Sequence, residues 1–200
     1  MPSERESFIE DFLEDSKRSI DELPRDDIEK VMEVIQEVRE RGGTVYTMGN
    51  GGSASTAEHL AADLDKTANV GQEKLFRSIT LVNNDPLTSA WTNDEGWESV
   101  YKGQLEDRIT EDDALVAFSV HGGSGPWSSN LTKAFQFANE KGAATVGIAG
   151  FDGGAFTEVC DHTIVVPVKS TPQVESLHVL IHHLIVFGLK QEVEEAWDGS

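Results

Sequence analysis

Hydrophobic positions in the first 42 residues recur at intervals of three or four. This spacing predicts amphipathic helices, and Pro24 and Asp26 divide the stretch into two of them. Residues 1–42 are therefore expected to form an N-terminal helical hairpin. The apolar positions of the two helices are Phe8, Phe12, Ile20 and Leu23, then Ile28, Val31, Ile35 and Val38.

From residue 44 onward the pattern changes to short, nearly continuous apolar runs that alternate with helical stretches. The runs read TVYTMG, SITLV, ALVAFSV, ATVGIAG and TIVVPV. Strands that are apolar on both faces and alternate with helices predict a parallel sheet, covered on both sides and wound by right-handed crossovers. Helices are expected at 54–65, 97–108, 127–141 and 174–192, with a looser segment at 66–77.

The length and composition suit one domain. A chain of 200 residues with 38% hydrophobic residues can bury a substantial core. We expect a single unit over 1–200, made of the hairpin at 1–42, a sheet-and-helix core at 43–192 and a tail at 193–200. No apolar stretch has the length of a membrane span, the N-terminus is charged from its start, and Cys160 has no partner for an internal disulfide. These features predict a cytoplasmic location.

The charge balance is strongly acidic, with 36 Asp and Glu against 16 Lys and Arg and a formal net charge of -20. Such a field repels nucleic acid and anionic membranes, so neither is expected as a partner. The acidic residues are spread along the whole chain, as they are in proteins of salt-loving organisms, where salt screens the self-repulsion. This distribution leads to the hypothesis of a halophilic origin.

Two glycine- and serine-rich segments each follow a predicted strand and precede a predicted helix. The first loop is Gly49–Ser53 and the second loop is Ser119–Gly125. A helix start offers free N–H groups and the positive end of the helix dipole to an anion. The first loop fits neither a dinucleotide site, which needs an acidic residue about 20 positions on, nor a P-loop, which needs a Gly-Lys-Ser/Thr ending.

The alternative for the first loop is a tight turn in which Ser53 caps the helix. The presence of two such loops favours a ligand site, because the carboxyl ends of parallel strands meet in the crevice where open α/β sheets bind ligands. The hydroxyls of Ser53, Ser119 and Ser124, with the helix-start amides, are then expected to bind one phosphate.

His and carboxylate residues are paired at helical spacing in two places. His59 and Asp63 lie four residues apart after the first loop, and Glu175 and His183 lie eight apart in the last predicted helix. Each pair shares a helix face. Two imidazoles and two carboxylates predict a divalent metal site, with zinc favoured by the imidazoles.

The other histidines of these segments have a simpler interpretation. His178 and His182 are interpreted as buried core or interface residues, and His162 and Cys160 as structural residues near a strand.

The motifs GNGGSASTAEHLAADL, TNDEGW, SVHGGSG, GFDGG and QVESLHVLIHHLI occur in an order that resembles the sugar isomerase (SIS) domain family, specifically its phosphoheptose isomerase branch. The resemblance implies an α/β three-layer sandwich with a five-stranded parallel sheet. It also implies a homotetramer with active sites at subunit boundaries, where the segments near residues 60 and 180 meet, and a bound zinc. The implied reaction is the aldose-ketose isomerisation of sedoheptulose 7-phosphate or a related sugar phosphate through an enediolate.

The resemblance also implies roles for individual residues. His59 and His183 fall on imidazole ligands of the metal, Asp63 on a glutamate that is both ligand and general base, and Glu175 on a glutamine. From these positions Asp63 is the candidate base and His183 the candidate acid. The implied substrate-binding positions are Asn50, Gly51, Gly52, Ser53, Asp94, Ser119, His121 and Ser124.

The second loop departs from the family pattern, which reads Ser-Thr-Ser-Gly-Asn-Ser where this chain has Ser119, Val120, His121, Gly122, Gly123 and Ser124. Two hydroxyls are replaced, and His121 can carry charge in their place. Asp63 is one methylene shorter than the family's glutamate. These departures keep open a different function, that of a non-catalytic phosphosugar-binding protein or adaptor, like the replication-initiation regulators of the same branch.

Overall fold

The computed structural model describes residues 3–198, so positions 1–2 of the predicted hairpin and 199–200 of the predicted tail lie outside the described residues. Eight α-helices and five strands follow one another within the described range. They are α1 (Glu4–Asp21), α2 (Arg25–Arg41), β1 (Val45–Gly49), α3 (Gly52–Lys66), β2 (Ser78–Thr80), α4 (Asp85–Glu95), α5 (Val100–Leu105), β3 (Ala114–Ser119), α6 (Ser129–Glu140), β4 (Ala144–Ala149), α7 (Phe156–Val159), β5 (His162–Val165) and α8 (Thr171–Asp198). Short 3₁₀ turns at Trp97–Ser99 and Pro126–Ser128 lead into α5 and α6.

The five strands form one parallel sheet in the order β2-β1-β3-β4-β5. Thr47 pairs with Thr80 on one side and with Val116 on the other, and Gly49 pairs with Phe118. The prediction of a five-stranded parallel sheet is therefore confirmed. The strand order reverses between β1 and β3, so the first and second loops start side by side at the carboxyl edge of the sheet.

Two buried clusters lie on opposite faces of the sheet, because successive side chains of a strand point to opposite sides. Val116 and Phe118 of β3 join α2, α3 and α8 on one face, while Leu115 and Ala117 join α5, α6 and α7 on the other. The architecture is the expected three-layer sandwich. It places α3 and α8 in contact on one face of the sheet.

Several elements differ from the pattern-based expectations. The sequence pattern does not predict helix α4, because the residues of this helix are mostly exposed and carry no continuous apolar stripe. Helix α8 continues to Asp198, through most of the predicted tail. Helix α1 forms as expected, but its apolar residues Phe8, Ile9 and Leu13 are exposed, so it does not complete a packed hairpin. Among the described residues no helix is both long and apolar enough to cross a bilayer.

Candidate active site

The first loop is held in place by buried polar contacts. Asn50 and Asn130 exchange two amide hydrogen bonds of 3.0 and 2.8 Å, and the Tyr101 hydroxyl donates to the Gly49 carbonyl. Burial raises the pKa of Tyr101 to about 12, so this hydroxyl keeps its proton. Gly51 lies at φ 57°, in the region that favours glycine, and a Cβ on Gly49 would lie 2.5 Å from the Ser53 carbonyl oxygen.

These contacts bring the chain sharply from β1 into α3. The helix begins at Gly52 with Gly51 as its N-cap residue, so Ser53 lies in the first turn and is not the cap. Ser53 is buried beneath the loop. The Ser53 and Ala54 amides donate to the Asn50 and Gly51 carbonyls, so the amides that stay available at the sheet edge are those of Gly51 and Gly52.

The second loop is closed by a hydrogen bond from the Gly123 N–H to the Ser119 hydroxyl, 3.0 Å long. Gly122 and Gly123 have φ of 55° and 73°, and a Cβ on Gly122 would lie 1.8 Å from the Gly153 carbonyl oxygen. Glycine is therefore required there. Ser124 is half-buried and borders a cavity of about 450 Å³ that is lined by His121, Ser124, Gly125, Trp127, Phe151, Asp152 and Lys169.

His121 lies on the exposed side of the second loop. Its ring packs on Phe151, with the ring centroids 4.4 Å apart. The predicted substrate-binding residue Asp94 is exposed on α4, where its carboxylate accepts a hydrogen bond of 2.6 Å from Asn93.

Beyond the first loop, four side chains of types that can bind a metal converge between α3 and α8. The Nε2 atoms of His59, His182 and His183 lie 3.3, 3.5 and 3.7 Å from Asp63 Oδ2. One ligand atom from each of the four residues lies within 4.8 Å of the others. The other carboxylate oxygen, Asp63 Oδ1, accepts a hydrogen bond of 3.0 Å from the Thr67 hydroxyl.

The exposure of these side chains differs. His59 and His183 are 48% and 41% exposed, Asp63 is 18% exposed and His182 is fully buried. Burial and the neighbouring histidines lower the pKa of His182 to about 4, against the opposing effect of Asp63. His182 is therefore neutral at pH 7, the form that binds a metal.

His178 lies one turn before His182 on α8 and is also buried, with its ring packed near Phe118 at 5.7 Å between centroids. Burial lowers the pKa of His178 to about 4. The core interpretation of this residue agrees with its position. Cys160 is half-buried and free, and burial raises the pKa of its thiol, which suits a structural residue better than a nucleophile.

The structure brings His59, Asp63 and His183 together within one chain, whereas the sequence analysis expects the two segments to meet at a subunit boundary. It adds His182, which the sequence analysis interprets as a core residue. It places Glu175 outside this group, exposed at the start of α8, where a Cβ on Gly52 would lie 3.0 Å from Glu175 Oε1.

The sequence and the fold match known proteins. The family model for the SIS domain matches residues 8–150. The chain belongs to the SIS domain family. It is 43% identical over 185 residues to the lincomycin biosynthesis protein LmbN of Streptomyces lincolnensis, a match that covers 90% of this chain and 67% of LmbN.

Two further comparisons connect this SIS domain protein to phosphoheptose isomerases. The phosphoheptose isomerase of Aliarcobacter butzleri is 31% identical over 187 residues, which cover 90% of this chain and 94% of that one. The structure of phosphoheptose isomerase GmhA from Neisseria gonorrhoeae superposes with a TM-score of 0.83 over 92% of this chain and 98% of that chain, at 23% identity. The sequence match shows the family relationship, and the structural match shows the fold.

Proposed function

We propose that this SIS domain protein is a phosphosugar isomerase that interconverts the aldose and ketose forms of sedoheptulose 7-phosphate or a related sugar phosphate. The observation that carries the proposal is the arrangement along α3. The helix starts at a phosphate-type loop, and His59 and Asp63 follow on the same helix, with His59 roughly 9 Å from Ser53 along its axis. An extended sugar phosphate spans such a distance. The phosphoheptose isomerase relatives support the same reaction.

The loop end of the site, formed by the first and second loops and the start of α3, is proposed to bind the phosphate. Ser53, Ser119 and Ser124 supply hydroxyls, and the first-turn amides of α3 at Gly51 and Gly52 supply N–H donors. Of the residues that line the cavity at the second loop, only Lys169 carries a fixed positive charge, so the proposed donors to the anion are chiefly neutral. His121 is proposed to replace the family's lost hydroxyls, and Asn50 and Asp94 stay predicted sugar-pocket residues.

The histidine end of the site, formed by His59, Asp63, His182 and His183, is proposed to transfer the proton. An aldose-ketose isomerase takes a proton from the carbon next to the carbonyl and gives one to the carbonyl oxygen. It then returns a proton to the former carbonyl carbon while the neighbouring hydroxyl loses its proton and becomes the new carbonyl. Asp63 is the proposed base. His183, which is half exposed beside it, is the proposed acid that protonates the sugar oxygen.

The donors present fit a divalent transition ion. Tetrahedral coordination with zinc bonds of about 2.0–2.1 Å places ligand atoms roughly 3.3–3.4 Å apart. The 3.3 to 3.7 Å separations between Asp63 Oδ2 and the histidine nitrogens are close to that value. His59, Asp63 and His183 would hold zinc, which when bound supplies Lewis-acid stabilisation of the developing oxyanion.

The proposed assembly is a homotetramer. Exposed apolar side chains on α1 and α8 support it, since a monomer of this size rarely leaves such faces uncovered. On α8 they are Val179, Leu184 and Phe187. Leu184 and Phe187 border a groove of about 500 Å³ that also reaches His183, so a partner on this face would cover the histidine end of the site.

The proposed setting is the cytoplasm of a halophilic organism. The net charge of -20 supports the second part, because unscreened repulsion between carboxylates opposes folding. Melting temperature is then expected to fall steadily as salt is withdrawn. A melting temperature that does not change between high and low salt would contradict the halophilic origin.

The reaction is tested by incubating the protein with phosphorylated ketoses and aldoses in deuterium oxide at high salt. Deuterium incorporation next to the carbonyl, followed by the isomeric sugar phosphate, is the expected result. Binding of the sugar phosphate without any exchange, even after zinc is added, would contradict the enzyme and support the non-catalytic adaptor. Exchange with a sugar phosphate other than the heptulose would keep the reaction and change the substrate.

A further inference from the structure

Three of the four predicted metal ligands meet between α3 and α8, and two residues are candidates for the fourth ligand. Glu175 is the residue that the family pattern implies. His182 is the residue that the structure brings to the cluster. The relative direction of the two helices decides between them.

Helices α3 and α8 run side by side in the same direction. Gly52 of α3 lies beside Glu175 of α8, and seven residues further along each helix His59 lies beside His182, with ring centroids 4.4 Å apart. Equal steps along both helices mean that the two contacts are separated by about 10.5 Å.

Glu175 is therefore too far from the cluster to bind the same ion within one chain. It precedes His183 by eight residues, or roughly 12 Å along the helix axis. Side chains of a helix also tilt towards its N-terminus, so Glu175 points away from the histidines. Sharing a helix face with His183 does not bring its carboxylate within bonding distance of the same metal.

His182 meets the requirements that Glu175 fails. Its Nε2 lies 3.5 Å from Asp63 Oδ2, and its ring centroid lies 4.0 Å from that of His183. It is fully buried, and neither of its ring nitrogens has a hydrogen-bond partner. A buried polar group without a partner destabilises the fold, and a bound cation would remove that cost at Nε2.

We propose that His182 is the fourth metal ligand of this chain and that Glu175 is not a ligand. The resulting set of three imidazoles and one carboxylate selects zinc or a similar transition ion over magnesium and calcium, which prefer oxygen ligands. This inference deepens the proposed function, because it specifies the metal site on which that function rests. Its test uses metal binding alone, without any substrate.

The experiment titrates the metal-stripped full chain with Zn²⁺ in competition with a chromophoric chelator. The wild type is expected to bind one equivalent per chain. H182L, which fills similar space without a donor, is expected to lose at least 10-fold in affinity, because even the outer partners of metal ligands contribute about that much. E175Q is the matched control on the same helix and is expected to bind within about 2-fold of the wild type.

Two further measurements keep the test independent of folding defects. Metal-free H182L is expected to melt at or above the temperature of the metal-free wild type, because it removes an unpartnered buried imidazole, and to gain less from added zinc.

Several results would overturn the proposal. They are a wild type that binds no zinc, an H182L variant that binds as tightly as the wild type, or an E175Q variant that loses binding. A failure of the isomerase itself appears differently, as normal zinc binding without proton exchange. The two hypotheses can therefore fail separately.

Discussion

The two ends of the α3–α8 helix pair differ in how their polar side chains are hydrogen-bonded. At the loop end, Gly52 lies beside the exposed Glu175, and the polar groups of the first loop are satisfied by Asn130 and Tyr101. At the histidine end, seven residues further on, His182 is buried without a hydrogen-bond partner. At the loop end, side-chain hydrogen bonds fix the shape of the loop and leave main-chain donors for an anion, whereas at the histidine end a buried imidazole has no hydrogen-bond partner within the chain.

This difference indicates how the work of an isomerase is divided. A rigid loop end suits binding of the remote phosphate, whose interaction energy positions the reacting carbons. A histidine end with unused donors suits a metal and a proton. Variants at the histidine end should therefore reduce turnover, and variants at the loop end should mainly change substrate affinity.

The largest expected effect is that of Asp63→Asn. The amide keeps the shape of the side chain but cannot accept the proton, so kcat is expected to fall by about 10²–10⁴-fold while KM changes little. The measurement is deuterium exchange and product formation with the sugar phosphate at saturation.

Asp112→Asn is the matched control, because Asp112 is exposed and precedes β3 at the amino edge of the sheet, opposite the two loops. It is expected to keep most of the turnover. Full activity of Asp63→Asn would contradict the assignment of the base, and equal losses in both variants would contradict the division between the two ends.

The second prediction concerns acid stability. His178 is neutral and buried, with a pKa lowered to about 4 from an ordinary value of 6.5. Between pH 4 and pH 6.5, His178 is therefore mostly protonated in the unfolded chain and mostly neutral in the folded chain. Its contribution to stability is complete above pH 6.5 and decreases as the pH falls towards 4, by up to about 1.4 kcal/mol per pH unit.

The variant H178L removes this titration. Denaturant unfolding of metal-free protein from pH 7 to 4.5, at constant high salt, should show a shallower loss of stability for H178L than for the wild type. Identical slopes would mean that the imidazole does not stay neutral in the folded protein.

Most of the fold could be predicted from local sequence pattern, for reasons that particular elements show. The apolar runs that became β1, β3 and β4 are buried on both faces, so their pattern needs no tertiary information. Helix α4 is exposed and lacks such a pattern, and the periodic apolar residues of α1 do not indicate that this face stays uncovered within the chain.

The site was less predictable, because its members depend on distances between helices. His182 has the burial of a core residue, and only the facing carboxylate of Asp63 distinguishes it from one. Glu175 and His183 share a helix face, but a shared face does not determine how far apart two residues lie along the helix axis. The adjacent pair His182 and His183 was the available signal, because two consecutive positions on α8 both reach one point on α3.

The third prediction applies to the loop end. Ser124→Ala removes one hydroxyl from the proposed phosphate site, so KM is expected to rise about 10-fold with a smaller change in kcat, as for the loss of one hydrogen bond to a charged group. The matched control is Ser89→Ala, an exposed serine on α4. If Ser124→Ala changed kcat and left KM intact, the second loop would belong to the chemistry and not to phosphate binding.

The smallest expected effect is that of Glu175→Gln, and it tests the charge at the loop end. Glu175 Oε1 lies close to Gly52, at the start of the helix that is proposed to bind the phosphate, so its charge opposes the entry of an anion. Removing the charge is expected to lower KM by about 2–5-fold at low ionic strength, with little change in kcat. Because salt screens exposed charges, the advantage should shrink as salt is raised. A rise in KM at every salt concentration would instead show that the carboxylate holds the sugar, which would make the loop end more than a phosphate anchor.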